Sequence, residues 1–212
     1  MLQLDEFLIL IPARKGSKRL PYKNRALFNF TAKIIPDSFK DKVFVSSNDN
    51  QVLKQAEEHG FNLYKRKSAY GDTATTKQMI QDFIENNEVS EKKIIMLYLT
   101  YPQRSWEDIV NAVNFYNNSS AKSLLCKKRI NSSPYLMMYD LPHNKGAQII
   151  EHDLCRSQDY RKCFEISHFV AIFDISEVEN LNNNIYNNNT VYIDIRNVID
   201  VDTKEDLEGF YG

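Results

Sequence analysis

Five cationic side chains follow an apolar run near the start of the chain. Residues 7–24 read FLILIPARKGSKRLPYKN. The loop in this segment carries five cations: Arg14, Lys15, Lys18, Arg19 and Lys23. Backbone N–H groups around Gly16 and the flanking cations can hold a polyphosphate, because a guanidinium binds phosphate oxygens in pairs. The loop is neither a Walker A nor a dinucleotide motif. It predicts a local anion site, and the alternative is a solvated basic turn.

Two acidic residues near the end of the sequence could bind a metal ion. Asp200 and Asp202 lie in IDVDTKEDL (199–207). Alternation along a strand would place both side chains on one face, and hard divalent cations prefer carboxylate oxygens. Asp202 could instead cap a helix that begins near Thr203. The two roles are compatible, so both stay open.

Other side chains are further candidates. His168 could act as a base, although a lone histidine beside an apolar strand is more often packed or exposed. Tyr98 and Tyr101 could stack on a substrate, but core packing is the commoner role of such aromatics. One set can be drawn as a zinc site, although its spacing matches no established pattern: His152, Cys155, Cys163 and His168.

Apolar runs alternate with helical segments along the chain. Strands are predicted at 7–11, 42–47, 61–65, 93–99, 123–126, 169–173 and 198–201. Helices are predicted at 50–59, after a cap at Asp72 or Thr73, and at 106–116. This order predicts an α/β fold, with a Rossmann-like, mainly parallel sheet and helices on both faces. Ligands are expected beyond the carboxyl ends of the strands.

The length fits one domain over residues 1–212, with one irregular excursion. Residues 127–165 are polar but contain the apolar cluster 135–139, YLMMY. Such a cluster would be an unusual exposed patch on a monomer. We therefore predict that 127–165 is a lobe that packs on a partner subunit.

Composition argues against several classes of partner. The net charge of −1 provides no general attraction to nucleic acid. No apolar run approaches the ~18–20 residues of a membrane span, and no secretory leader is recognisable. Three cysteines without an export signal favour a reducing cytoplasm.

The cationic loop resembles the signature of the cytidylyltransferases that make CMP-sialic acid and related CMP-activated nonulosonates. That signature usually reads IPARGGSKGIPKKN, and Lys15 and Arg19 replace two of its glycines. Further matches follow in the family's order: VSSNDNQVLKQAEEHG (45–60), Arg66, DTATT (72–76), MLYLTYPQR (96–104), RSQD (156–159) and IDVDTKEDL (199–207). Together the matches cover nearly the whole chain, which resembles a divergent member.

The resemblance implies transfer of CMP from CTP to an acidic acceptor, a nonulosonic (sialic acid-like) sugar, with release of pyrophosphate. It implies catalytic roles for Arg14, Lys18 and Lys23. The implied nucleotide-binding residues are Ala13, Arg14, Gly16, Ser17, Lys18, Asn24, Arg66 and Thr75. The implied acceptor-binding residues are Arg104, Arg156 and Gln158. Asp200 and Asp202 would hold Mg²⁺, with Mn²⁺ as a substitute. The family also implies a homodimer in which the lobe 127–165 reaches toward the neighbour's acceptor site, with Arg156 completing the acceptor pocket in cis or across the interface. It further implies a place in CMP-sugar biosynthesis for surface polysaccharide.

Departures from the family pattern concentrate in the acceptor-facing parts. Tyr98–Leu99 stand for Gln–Pro, Tyr101 for Ser, and Ser167–His168 for Asn–Gly. The stretch 30–40 is short, which predicts little room for a full helix between the first two strands. Two alternatives therefore stay open: a cytidylyltransferase acting on a phosphonate or a phosphorylated small molecule, and a non-catalytic nucleotide-binding paralogue.

Overall fold

A seven-stranded sheet and a separate hairpin form the framework of the chain. The computed structural model describes residues 4–66, 74–130 and 132–211. The strands are β1 Phe7–Ala13, β2 Val43–Ser47, β3 Asn62–Lys65, β4 Lys93–Met96, β5 Ser123–Arg129, β6 Met138–Leu141, β7 Lys145–Gln148, β8 Phe164–Asp174 and β9 Val191–Asp194. The α-helices are α1 Lys23–Ile34, α2 Asn50–Glu58, α3 Thr76–Glu85, α4 Trp106–Asn117 and α5 Lys204–Tyr211.

The large sheet is mainly parallel, as predicted. Its strand order is β3-β2-β1-β4-β8-β5-β9. Strand β8 is the exception, because it runs antiparallel to both β4 and β5. A parallel return would need a crossover connection, usually a helix. The described residues between β5 and β8 contain no α-helix, so the chain returns in the opposite direction.

Helices cover both faces of the sheet. Strand β1 alternates its side chains between two cores, so Ile9 packs with the α1, α2 and α4 side while Leu10 packs with α3. Both residues are fully buried. Continuous apolar strands of this kind are typical of sheets buried on both faces. The central strands therefore form a rigid base from which the loops at their carboxyl ends project.

The first helix corrects one prediction. The short stretch 30–40 was expected to leave little room for a full helix, yet α1 has 12 residues. The helix begins at Lys23, inside the cationic loop, so most of it precedes the shortened stretch. Its N-cap, Tyr22, has a positive φ of 60°. The last two residues of the signature motif, Lys23 and Asn24, thus lie on the first turn of a helix.

The segment around Asp200 also differs from the prediction. Residues 198–201 form no strand, and β9 lies earlier in the chain. The segment is instead tied to the loop after β4, where Val201 N donates to Thr100 O at 2.8 Å. Asp202 does not cap α5. Thr203 Oγ1 accepts from Asp206 N at 3.2 Å and the Asp206 carboxylate accepts from Thr203 N at 2.8 Å, which are the reciprocal bonds of a capping box.

The cap of α3 is described only in part. The predicted caps Asp72 and Thr73 lie outside the described residues. Thr75 occupies the N-cap position, where its side chain and that of Gln78 exchange hydrogen bonds with the backbone. Thr75 is thereby fixed at the start of α3.

The excursion carries exposed apolar side chains. Strands β6 and β7 form a two-stranded hairpin whose residues are all exposed. Leu136 is 71% and Met138 68% exposed. Among the described residues, no helix is both long enough and apolar enough to cross a membrane.

Candidate active site

A cavity of about 600 Å³ opens beyond the carboxyl ends of β1 and β4. This is where open α/β sheets bind ligands. Eight predicted site residues line it: Arg14, Ser17, Lys23, Asn24, Arg66, Thr75, Asp200 and Asp202. Other described residues complete the lining: Pro12, Ala74, Thr76, Met79, Tyr98, Leu99, Thr100, Tyr101, His168, Asn183 and Asn184. The fold thus brings most of the predicted nucleotide site and both predicted metal ligands to one place.

The cationic loop is held at both ends. Asn24 Nδ2 donates to Arg14 O at 2.8 Å, which closes the loop across its base. Lys15 N donates to Asn48 Oδ1 at 2.6 Å, which ties the loop to the end of β2. Gly16 has a φ of 87°, a conformation that residues with a side chain rarely adopt. These contacts explain why a loop with so many cations keeps a defined shape.

Three other predicted residues of this region do not line the main cavity. Ala13 is buried at the end of β1 and accepts a hydrogen bond from Ser47 Oγ. Gly16 lines a smaller neighbouring cavity of about 270 Å³. Lys18 is exposed on the loop, and among the described residues it forms no ion pair within 4 Å. Their roles toward a nucleotide remain predictions.

Lys23 joins the loop to the carboxylate pair. Lys23 Nζ contacts Asp202 Oδ1 at 2.5 Å, and Arg19 contacts the other oxygen of the same carboxylate. The Lys23 side chain is only 11% exposed, whereas that of Arg19 is 67% exposed. The signature loop and the Asp200–Asp202 segment, far apart in sequence, therefore form a single charged site.

Asp200 is positioned by a tyrosine that the family pattern lacks. Tyr101 Oη donates to Asp200 Oδ2 at 2.9 Å, and Ser167 Oγ donates to Tyr101 Oη at 3.2 Å. Burial, together with the Asp200 charge, raises the pKa of Tyr101 above its usual value, so the hydroxyl stays protonated. Asp200 Oδ1 is buried without a hydrogen-bond partner among the described residues. A buried carboxylate oxygen without a hydrogen-bond partner, on a residue that lines the cavity, fits the role of a cation ligand.

Arg66 provides a second fixed cation. Arg66 Nε donates to Ser46 Oγ at 2.9 Å, which directs the guanidinium from the end of β3 toward the cavity. Burial lowers the pKa of Arg66 to about 10, so the side chain remains charged at neutral pH. Across the same wall, Thr76 Oγ1 and Tyr98 Oη lie 3.0 Å apart.

Arg104 lies buried behind the cavity wall, and its predicted contact with the acceptor remains a prediction. Its side chain is buried, NH1 donates to Phe169 O at 2.6 Å, and NH2 donates to Tyr98 O. Burial lowers the pKa of Arg104 to about 10. The guanidinium therefore joins the loop after β4 to β8 and makes no part of the cavity lining. Arg104 thus supports the cavity wall from the side that faces away from the cavity.

This position predicts a stability effect for Arg104→Ala. Hydrogen bonds to charged groups contribute about 1.5–3 kcal/mol each, so we expect a loss of about 3 kcal/mol in the free energy of unfolding, measured by urea denaturation. Arg196 is a matched control, since it also donates to a backbone carbonyl but is 56% exposed. Its alanine variant should lose less than about 1 kcal/mol. An Arg104→Ala protein that keeps the stability of the wild type but binds the acceptor poorly would instead support the predicted contact between Arg104 and the acceptor.

Arg156 and Gln158 lie outside this cavity. They belong to the exposed turn around Ser157–Asp159, where Arg156 Nε contacts Asp159 Oδ2 at 3.1 Å. The acceptor role of both residues remains a prediction, with the pocket completed either within one chain or across a subunit interface.

Several cavity residues were not predicted as ligands from the sequence. Asn183 and Asn184 come from the asparagine-rich stretch 182–190. His168 Nε2 lies 2.9 Å from Asn184 O, so this nitrogen already has a partner. The interruption of an asparagine run by Ile185, which is buried, was the available signal that the loop packs onto the fold.

The set of residues that could be drawn as a zinc site does not come together in the described part of the chain. His152 Nε2 lies 2.7 Å from Tyr135 O, and its Nδ1 accepts from Leu154 N at 3.1 Å, so both ring nitrogens are engaged. Within residues 4–66, 74–130 and 132–211, no group of three His, Cys, Asp or Glu side chains could hold a metal ion. A metal at Asp200 and Asp202 would thus take its other ligands from a substrate and water, as Mg²⁺ commonly does.

Comparison with known proteins gives consistent matches. A family model described as Cytidylyltransferase matches residues 8–185. The N-acylneuraminate cytidylyltransferase of Streptococcus agalactiae serotype V is 27% identical over 139 residues, which are 61% of this chain and 33% of that protein. The chain therefore spans about a third of the length of the streptococcal relative. The pseudaminic acid cytidylyltransferase of Campylobacter jejuni subsp. jejuni serotype O:2 is 25% identical over 95% of this chain and 93% of its own.

Solved structures share the fold at low sequence identity. A CMP:2-keto-3-deoxy-manno-octonic acid synthetase in complex with CTP aligns with a TM-score of 0.70 at 14% identity, covering 97% of this chain and 96% of its own. The 4-diphosphocytidyl-2C-methyl-D-erythritol synthase of Anaerococcus prevotii aligns with a TM-score of 0.63 at 10% identity, covering 96% and 95%. At these identities the likeness concerns the fold alone.

Proposed function

The chain belongs to the cytidylyltransferase family, and from this premise we propose that it transfers CMP from CTP to an acidic sugar of the nonulosonic acid class, releasing pyrophosphate. One observation carries the proposal: the cationic loop and the carboxylate pair line the same cavity and meet at the contact between Lys23 and Asp202. Phosphoryl-type transfer depends mainly on positioning and charge neutralisation, and this arrangement provides both.

The nucleotide occupies the side of the cavity near β1 in this proposal. Arg14 and Lys23 bind the triphosphate, while Asn24, Arg66 and Thr75 surround the cytosine and ribose. Cytosine presents acceptors at O2 and N3, and a guanidinium is only a donor, so Arg66 suits cytosine better than uracil, whose N3 carries a hydrogen. The acceptor's hydroxyl oxygen attacks the α-phosphorus of CTP and its proton passes to solvent. The bond between the α-phosphorus and the oxygen that bridges to the β-phosphorus breaks, and the cations of the loop neutralise the departing pyrophosphate.

The carboxylates Asp200 and Asp202 would hold Mg²⁺, with Mn²⁺ as a substitute. The buried Asp200 Oδ1, which has no partner among the described residues, fits this role. The two carboxylates fit it as well, because carboxylate oxygens are ligands that Mg²⁺ and Mn²⁺ prefer. When bound, the cation would neutralise charge on the phosphates. The chain's own contribution is to fix Asp200 through Tyr101 and to hold Asp202 beside Lys23.

The acceptor class rests on the relatives and on the lobe 127–165. The two curated relatives are named for N-acylneuraminate and pseudaminic acid, both acidic sugars. In this chain Tyr98, Tyr101 and His168 form the wall left for an acceptor. Arg156 would bind the acceptor's carboxylate, either within its own chain or across the interface with a partner subunit. The product would serve surface polysaccharide synthesis, and the three free cysteines fit a cytoplasmic enzyme.

We also expect a C₂ homodimer formed through the lobe. The exposed apolar residues Leu136 and Met138 would be buried between subunits. Light scattering at micromolar concentration should give twice the mass of one chain, and Met138→Glu should shift the mass toward the monomer. Glu57→Lys, a charge change on the far helix α2, is the control and should leave the dimer intact. A monomeric wild-type protein would contradict the dimer.

A pyrophosphate-release assay tests the activity. In separate reactions, the protein is given CTP, Mg²⁺ and one acceptor. The acceptors are a nonulosonic acid, a phosphonate and a phosphorylated small molecule. We expect release with CTP and a nonulosonic acid, and little with UTP. Release with a phosphonate or a phosphorylated acceptor alone would favour the alternative substrate class. No release with any acceptor would favour a nucleotide-binding paralogue without catalysis.

A further inference from the structure

The two carboxylates of the site, Asp200 and Asp202, differ in how many of their oxygens have a bonding partner. Asp202 has a cation on each oxygen, Lys23 on Oδ1 and Arg19 on Oδ2. Asp200 has Tyr101 on Oδ2, while its buried Oδ1 has no partner among the described residues. A metal ion between them would therefore meet one buried oxygen without a partner on Asp200, and a cation already on each oxygen of Asp202.

We propose that Arg19 competes with the divalent cation for Asp202: it holds the carboxylate in the metal-free protein and leaves it when the metal binds. The inference rests on the proposed metal site. In the family signature that the cationic loop resembles, a glycine stands at the position of Arg19. A glycine has no side chain to make this contact. The competition is therefore a property of this chain.

The two cations on Asp202 differ in how easily they can leave. Lys23 is anchored on the first turn of α1 and its side chain is 11% exposed. Arg19 lies on the loop and is 67% exposed, so water can replace its contact at little cost. A divalent ion next to Asp202 would repel both, and the exposed, flexible side chain should move first. Once released, the guanidinium can bind phosphate oxygens in pairs.

Mn²⁺ binding to the nucleotide-free protein tests the competition without any turnover. Free Mn²⁺ is followed by electron paramagnetic resonance during titration of the wild type and Arg19→Gly. Exposed ion pairs typically change an equilibrium about two- to fivefold, so Arg19→Gly should bind Mn²⁺ tighter by that factor. The difference should shrink in high salt, because exposed charges are screened.

Lys15→Gly is the matched control. Lys15 lies in the same loop, also stands in place of a family glycine, and forms no ion pair within 4 Å among the described residues. Its removal changes the net charge equally but leaves Asp202 untouched, so Mn²⁺ affinity should change less than in Arg19→Gly. In an Asp202→Asn background, Arg19→Gly should have no further effect, because the competing contact is already gone.

The outcomes separate this inference from the proposed function. If wild-type protein binds Mn²⁺, Asp200→Asn weakens that binding, and Arg19→Gly behaves like Lys15→Gly, the competition is wrong while the metal site stands. If no variant binds Mn²⁺ at millimolar concentration, the competition is overturned, because no metal then enters the nucleotide-free site, and the metal site itself is tested by the transfer kinetics of Asp200→Asn with CTP present. Tighter binding in Arg19→Gly that persists in the Asp202→Asn background would also contradict the inference, since the effect would not pass through Asp202.

Discussion

Asp200→Asn is expected to lower kcat for CMP transfer by roughly 100- to 1000-fold, the range seen when one fixed electrostatic contact to a transition state is removed. The substitution keeps the shape of the side chain and its contact with Tyr101, but it removes a negative charge from a site for a hard cation. CTP binding, measured by calorimetry without metal, should change by less than about threefold, because the cations of the loop remain. This variant should therefore bind CTP almost as well as the wild type does but transfer CMP far more slowly.

The control for this substitution is Asp194→Asn. Asp194 lies at the end of β9 and its side chain is 72% exposed, outside the cavity lining. The same chemical change there should leave kcat within about twofold. Full activity of Asp200→Asn would show that Asp200 is not a metal ligand, and the unpartnered oxygen would then have to be explained by a bound water.

Lys23→Ala should reduce kcat/KM by a similar factor, roughly 100-fold or more. The ammonium of Lys23 is nearly buried and is directed at the carboxylate pair from the first turn of α1, so it is fixed before the substrate arrives. Its loss removes charge neutralisation at the leaving pyrophosphate. Lys18→Ala should reduce kcat/KM less than Lys23→Ala does. The Lys18 side chain is exposed, so part of its binding energy is spent on fixing its position when the substrate binds.

Lys33→Ala is a suitable control for Lys23→Ala, since Lys33 lies exposed in the last turn of the same helix. Steady-state kinetics with varied CTP should show wild-type constants for this variant. If Lys18→Ala is more damaging than Lys23→Ala, the loop must rearrange on binding CTP, and the contact between Lys23 and Asp202 belongs only to the ligand-free state.

The parts of the fold that follow local rules were predictable from the sequence. Buried parallel strands are continuous apolar runs, so β1 and β2 stand out without any tertiary information. The amphipathic helix α4 was placed within one residue of its end. The cationic loop was recognisable because its residue types and order match a family signature, and the structure places four of its residues in the cavity.

Contacts between distant segments were not predictable. Arg104 matched the motif, but its burial behind the cavity depends on β8, which pairs antiparallel next to β4 only after the excursion. The ion pair of Arg19 with Asp202 joins residues 183 positions apart, and no local pattern signals it. The helix α1 was underestimated because its first turn lies within the signature loop, which was interpreted only as an anion site.

The central claim is that this chain joins CMP to an acidic sugar, and ³¹P nuclear magnetic resonance of the reaction products tests it most directly. With CTP, Mg²⁺ and a nonulosonic acid, the triphosphate signals should be replaced by the pyrophosphate signal and by one phosphodiester signal of a CMP-sugar, with one pyrophosphate formed for each CMP-sugar. A product with two coupled phosphorus signals, formed from a phosphorylated acceptor, would assign the enzyme to another acceptor class. Unchanged CTP signals with every acceptor would contradict the account.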